Sequence, residues 1–530
     1  MIRLKYQKTT RNSLMALSRS QLIYRTGQVR EGEQDAAASL DISEKQLMQR
    51  AAQACLEHIR QVQQLPARLL ILCGPGNNGG DGWVLARLAR DAGYEVQVAA
   101  AQASSALAQQ ACEVWRDQGG KVTALAEVSE TILAGADLIV DALLGTGLSR
   151  DLSDDYLQLT RQLNDFSACH RAYVLSVDCP TGLNSDTGQP MPVAVKADAT
   201  ITMVALKAGL VTGQAATYCG VLELAELGIG EAFQRRQRPV ATSLNARHVS
   251  GRLQPRAGAS HKGQHGHVLI VGGYKGMSGA AIMAGQAALR CGAGKVSVLT
   301  HLQSHPIVAG AQPELMVHPL DAATADDSGL EDLLSQADVV VLGPGLGKAE
   351  WGQSLFDQVS RWEGCLVMDA DALNLLANGK QKPAAAANWL LTPHPGEAGR
   401  LLRCSAAEIE QDRYGAVREL ADKFNAQVLL KGAGSLIAAP GDSLIQVCRQ
   451  GSPALATGGS GDVLSGIIGA LLAQQIPVEE VLAIAAWLHG SAGELAAKQG
   501  ERGTLPTDLL YFLRRLVNPH QQLTSLTDNA

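Results

Sequence analysis

Short apolar runs that end on glycine or aspartate recur along this chain, separated by longer stretches with helical spacing. In the first half they are RLLILCG, YEVQVAA, DLIVDALLG, AYVLSVDCP and ADATITM. In the second they are HVLIVGG, KVSVLT, DVVVLGPG, CLVMDAD, WLLTPHP and QVLLKGAG. Continuous apolar strands alternating with helices predict parallel sheets covered on both faces, an α/β class of fold. Between the two sets, EAFQRRQRPVATSLNARHVSGRLQPRAGASHKG is charged, contains proline and lacks clear periodicity. The expected organisation is a basic extension over 1–20, one α/β domain over 21–235 and a second over 236–520. Ligands of such sheets gather at the carboxyl ends of the strands, so the residues after each run are read first.

Composition narrows the class. The 530 residues exceed one ordinary core, and 46% hydrophobic with 18% charged residues suits compact domains rather than disorder. A formal net charge of -6 weighs against a nucleic-acid binder. No apolar run approaches the roughly 20 residues that span a bilayer, so no membrane role is expected. Ten cysteines are scattered without a CxxC pair, which points to a reducing cytoplasm. The first thirty residues hold no acid and loosely resemble an organellar transit peptide. They are read instead as a short basic extension of a cytoplasmic protein.

After RLLILC comes GPGNNGGDGWVLARLAR, where Gly74, Gly76 and Gly79 satisfy G-x-G-x-x-G before a helix. That suggests a phosphate-binding turn. The next strand, YEVQVAA, does not end in the acid that would hold a ribose, which weighs against a dehydrogenase. Asn77, Asn78 and Asp81 make the turn more polar than a phosphate needs. Asp141 and Asp178 end two further strands, and with Asn78 and Thr181 they could form an all-oxygen cation site. Each aspartate alone could equally cap its loop.

In the second half, G-x-x-x-x-G-K-[ST] is absent. The nearest decoy is GPGLGKAE, in which Ala349 follows Lys348. Glycine-rich loops follow three strands, at 272–280, 343–347 and 431–435, where backbone amides could converge on an anion. TGGSGDVLSG then sets Asp462 among glycines at the start of an apolar helix. It reads as a cap, or as a phosphate cradle with a base.

These motifs carry a resemblance. GPGNNGGDG, DALLGTG and VDCPTGLNSDTG together resemble the YjeF N-terminal domain, a Rossmann-like three-layer sandwich that epimerises hydrated NADH and NADPH. The resemblance implies that Asn77, Asn78, Gly79, Gly80 and Asp81 hold the hydrated dinucleotide. It implies the same of Gly145, Thr146, Gly147, Leu148, Ser149, Arg150 and Asp151. Asn78, Asp141 and Thr181 would bind potassium, and Asp178 would act at the reacting ring. The series SHKGQHGHVLIVGG, VMDADALN, LTPHPGEAGRLL, KGAGSLIAAP and ATGGSGDVLSG is similar to the YjeF C-terminal domain, a ribokinase-like α/β domain that dehydrates the same hydrates with ADP or ATP. It implies hydrate contacts at Ala280, Gly345, His394 and Asp462. Nucleotide contacts would fall at Lys431, Gly432, Ala433, Gly434, Ser435 and Gly461, with Asp462 as base. Magnesium is the expected counter-charge, with Asp369 and Asp371 as candidate ligands, and a homo-oligomer is expected. His394, between two prolines, reads equally as structural. The rival readings are a ribokinase-type small-molecule kinase fused to a Rossmann-like binding module, and a first half that only binds a partner.

Overall fold

The computed structural model describes residues 21–520 apart from 149, 171, 322–326, 380–387 and 442. The basic extension over 1–20 and Ser149 lie outside the described residues. The chain divides into two compact units, 21–242 and from Ser243 onward.

The first unit is built on a seven-stranded, all-parallel sheet. Its spatial order is Val122–Ala124, Glu95–Ala100, Arg68–Cys73, Leu138–Ala142, Tyr173–Val177, Ala199–Met203, Val221–Ala225. Side chains alternate across the pleat, so Leu69, Ile71 and Cys73 enter one core while Leu70 and Leu72 enter another. Helices cover both faces, and the result is a three-layer Rossmann-like sandwich. Chain order reverses between Arg68–Cys73 and Leu138–Ala142. A crevice is expected at such a switch point. The loops GPGNNGGDG and LLGTG both emerge there.

The second unit repeats the plan. Strands run Met316–Leu320, Lys295–His301, His267–Val271, Val339–Leu342, Cys365–Met368, Asn388–Leu391, Gln427–Leu430, all parallel. The switch point lies between His267–Val271 and Val339–Leu342. Beyond Gln427–Leu430 the sheet continues antiparallel through Ser435–Ala438 and Ile445–Cys448. This hairpin is added because four residues, Lys431 to Gly434, are too few for a crossover and suffice only for a tight turn. The apolar helix Ser460–Ala473 is buried along nearly its whole length. A Cβ on Gly466 would stand 2.1 Å from the Ala284 carbonyl, so glycine is what lets this helix pack on Ser278–Arg290. Among the described residues no helix is long and apolar enough to cross a membrane.

Candidate active sites

In the first unit, glycines press the GPGNNGGDG turn onto its neighbours. A Cβ on Gly74 would lie 1.6 Å from the Leu143 carbonyl oxygen, and one on Gly79 would lie 1.9 Å from that of Gly74. Gly76 and Gly147 face open space, which leaves backbone free for a ligand to approach. The helix Asn77–Asp91 starts at Gly76 with no side-chain cap, so its first amides point outward. Asn78 sits just inside. Both polar atoms of its carboxamide are buried without a hydrogen-bond partner, and Gly145 packs against it. Asn77 is exposed at the helix start, and Arg150 and Asp151 are exposed on the outgoing loop.

Asp141 is fully buried at its strand end. It accepts hydrogen bonds from Thr181 Oγ1 at 2.6 Å, Thr181 N at 2.8 Å and Ser176 Oγ at 2.8 Å. Burial raises its pKa against these bonds. Asp141 and Thr181 are thus together, and the orphaned Asn78 carboxamide fits the need for one more oxygen. One carboxylate among neutral oxygens suits a weakly charged cation better than a divalent one. Among the described residues no group of three His, Cys, Asp or Glu is placed to hold a metal.

Asp178 follows the next strand at a φ of 63°, a strained backbone of the kind that gathers at functional sites. Its Oδ1 accepts from Lys207 Nζ at 2.6 Å and from Met203 N at 3.1 Å. Burial pushes its pKa up, but the Lys207 ammonium and hydrogen bonds from Lys207, Met203 and Thr146 outweigh that and hold it below the usual range. Asp81 is pushed the other way, well up, by burial and then by the charges of Asp178 and Glu33. Two neighbouring carboxyls are therefore driven apart in acidity, the arrangement that separates an acid from a base.

Lys207 escaped the sequence reading. Its side chain is 2% exposed, and its ammonium also donates to Thr202 Oγ1 at 2.9 Å and the Met203 carbonyl at 2.7 Å. A signal existed, since it is the only charged residue between Asp198 and Glu223. A lone charge in so apolar a stretch is rarely buried unless paired.

In the second unit, five strand ends converge. The loop over 343–347 packs on the loop over 272–280, with Tyr274 N donating to the Gly345 carbonyl at 2.7 Å and Gly345 against Ala280. Asp369, 2% exposed, accepts from Lys431 Nζ on one oxygen and Ser465 Oγ on the other, both at 2.8 Å. Burial raises its pKa, but Lys431, Ser465 and Thr392 bring it below the usual range. Each Asp369 oxygen thus accepts one hydrogen bond from the protein and keeps a second lone pair. Asp371 accepts from Gly347 N at 2.9 Å and so holds the loop.

Helix Ser460–Ala473 begins at Gly459, whose φ of 99° suits glycine. No side chain caps it, and the first-turn amides of Gly461 and Asp462 lack intrahelical acceptors. A Cβ on Gly461 would stand 3.4 Å from both Asp369 Oδ2 and Lys431 Nζ, which places the cradle beside the ion pair. Asp462 has its pKa raised to about 7 by burial and by Asp369, against the pull of Lys431. His489, also missed from sequence, lies beneath. Burial lowers its pKa to about 4, and its Nε2 donates to the Ser460 carbonyl at 3.0 Å.

Lys431, Gly432, Ala433, Gly434 and Ser435 form the hairpin turn. Under it Arg413, its side chain 1% exposed, donates to the Lys431 carbonyl at 3.2 Å and pairs with Glu410 at 2.8 Å. A Cβ on Gly432 would meet that guanidinium at 2.8 Å. Nothing in the sequence marked Arg413 as a support of the turn, because the Lys431 carbonyl it meets lies 18 residues on. His394 caps the helix Pro395–Leu402, its Nδ1 accepting from Gly396 N at 3.0 Å, and it remains half exposed. His394 is thus a helix cap, and its Nε2 lies 3.4 Å from Glu397 Oε1.

Comparison with known proteins follows the same division. Residues 268–515 match the family model described as NAD(P)H-hydrate dehydratase, and residues 44–209 match that of the YjeF-related protein N-terminus. The bifunctional NAD(P)H-hydrate repair enzyme of Coxiella burnetii is 43% identical over 94% of this chain and 100% of its own. The enzyme of that name from Escherichia coli is 43% identical over 93% of each chain. An ADP/ATP-dependent NAD(P)H-hydrate dehydratase from Bacillus subtilis, crystallised with ATP and Mg2+, is 29% identical over 51% of this chain and 96% of its own, with a TM-score of 0.46.

Proposed function

Given that this chain belongs to the bifunctional NAD(P)H-hydrate repair enzyme family, we propose how its residues divide the work. The domain over 21–235 epimerises hydrated NADH and NADPH, and the domain over 236–520 dehydrates one epimer at the expense of ADP or ATP. The observation that carries the reading is Asp462. It is a carboxyl poised at about 7, set beside uncapped helix amides and a buried Asp369–Lys431 pair.

In the second domain Asp462 takes the proton of the ring hydroxyl, whose oxygen attacks the terminal phosphorus of the nucleotide. AMP leaves from ADP, or ADP from ATP. The ring nitrogen's lone pair then expels phosphate with the C–O bond, and loss of a proton from the adjacent carbon restores the double bond. Hydroxide is a poor leaving group and phosphate a good one, which is why a nucleotide is consumed. The Gly461 and Asp462 amides and Lys431 face the charge that develops on the transferred group. Lys431, held by Asp369 and the turn over Arg413, positions the nucleotide. Magnesium, when bound, would supply counter-charge to the phosphates, with Asp369 and Asp371 as its candidate ligands.

In the first domain the base is Asp178, held low in pKa by Lys207, and the acid is Asp81, pushed up by burial and by the charge of Asp178. Asp81 protonates the departing hydroxyl, the ring becomes planar, and Asp178 takes a proton from water returning on the other face. These steps are general acid–base catalysis with the two carboxyls in fixed roles. Asn78, Asp141 and Thr181 are the residues that would hold potassium, whose charge would steady the loop carrying Thr146. The loops at 77–81 and 145–151 would cradle the dinucleotide.

The same reading takes the protein as cytoplasmic, in keeping with ten cysteines that form no disulfide, and as a homo-oligomer, which sedimentation of the full chain tests. The mechanism is tested by mixing each hydrate with ADP or ATP and following the dihydronicotinamide absorbance together with free phosphate. Equimolar recovery of both supports it. A stable phosphorylated product would instead support the kinase reading.

A further inference from the structure

The second unit carries a cavity of about 600 Å³ at the end of the sheet opposite Asp462. It is lined by Gln264 and His265, which precede the strand His267–Val271, and by Gly292, which precedes Lys295–His301. Leu471 and Gln474 also line it, at the far end of the helix that begins beside Asp462. Twelve residues of helix separate Asp462 from Gln474, roughly 18 Å at the usual rise. The cavity is therefore distinct from the nucleotide cleft.

Its lining is one-sided in charge. Arg252, Arg256, Arg290 and Arg514 all face it, and no Asp or Glu is among the lining residues. Arg252 is tied at 2.5 Å to Glu480, and Arg256 donates to the Gly292 carbonyl. Arg290 and Arg514 occupy the last turns of their helices, where a cation complements the helix dipole. That explains these two singly. It does not explain why the loop preceding the first strand brings two more guanidinium groups to the same space, where like charges repel. His265 adds a second sign, since its Nε2 is buried with no hydrogen-bond partner. Leu253, Leu289 and Ile476 give the lining an apolar wall as well. A bare phosphate would leave that wall empty, and the volume lies in the small-molecule range of roughly 300–1,000 Å³.

We propose that this cavity binds a small organic molecule bearing two or more phosphate groups. Arginine forks take the phosphates, and the apolar wall takes the carbon frame.

Calorimetric titration of the full chain with fructose 1,6-bisphosphate, and separately with inorganic phosphate, tests this. The expected result is saturable, one-to-one binding of the bisphosphate, at least tenfold tighter than phosphate. Arg290→Glu/Arg514→Glu, both at exposed positions, should weaken it at least tenfold while circular dichroism stays unchanged. If that pair does not fold, Arg514→Gln alone should weaken binding at least threefold. No saturable binding, equal binding of phosphate, or binding indifferent to these substitutions would overturn the proposal. So would binding abolished by Lys431→Ala, which would put the probe in the nucleotide cleft.

Discussion

Asp462→Asn separates the base from the helix cap. The substitution keeps the shape and the first-turn position but cannot accept a proton. In the native chain burial and Asp369 outweigh Lys431 and bring the carboxyl to about 7, so dehydration should rise with pH through about 7 and level off above it. A positioned base contributes typically 10²–10⁴-fold, or about 3–5 kcal/mol of barrier. The variant should lose that much in kcat and lose the rising limb of the profile, while still binding nucleotide. Stability moves in a direction that a cap would not produce. A carboxyl whose folded pKa exceeds its unfolded value of about 3.9 withdraws stability as pH rises from there toward 7. Asparagine never ionises, so the variant should be at least as stable as the native chain in urea at pH 8. A capping residue would instead cost about 1 kcal/mol when removed. Activity within fivefold of native, an unchanged pH profile, or a clear loss of stability at pH 8 would refute the reasoning.

Lys207→Met strands Asp178 as an uncompensated buried charge, and chemical denaturation should register a loss of about 3–5 kcal/mol near neutrality. Because pairing holds Asp178 below its unfolded pKa, that contribution is present above about 3.9 and is lost as pH falls further. The difference between variant and native chain should therefore narrow in acid. Arg413→Lys removes the fork beneath the hairpin turn, so nucleotide KM should rise severalfold with kcat for the hydrate little changed. Gly461→Ala places a methyl 3.4 Å from Asp369 and Lys431, an ordinary contact. Folding should survive by circular dichroism while phosphate release falls at least tenfold, because the proposed mechanism brings the transferred group to these amides.

Much of this was legible in the sequence. Eleven apolar runs became strands, because a strand buried on both faces advertises itself by composition alone. The acids at strand ends and the glycine loops were equally readable, since ligands of such sheets collect at those ends. What escaped was pairing across elements. Lys207 and Asp178 are 29 residues apart and Lys431 and Asp369 are 62 apart, so no local pattern couples them. That Lys431 neutralises Asp369 was equally hidden, because an exposed acid and a paired one look identical in sequence. The short strands Val122–Ala124 and Met316–Leu320 lie at or near sheet edges and carry too few buried side chains to stand out.

The central claim is that two activities act in series on one hydrate pool. The direct measurement supplies a mixture of both epimers with nucleotide and follows recovery of the dihydronicotinamide band to completion. The native chain should convert both epimers with one phosphate released per turnover. Asp178→Asn should stop after the epimer that dehydrates directly, and Asp462→Asn should recover nothing while still interconverting the two. Complete conversion by the Asp178→Asn chain, at a rate beyond spontaneous epimerisation, would contradict the account.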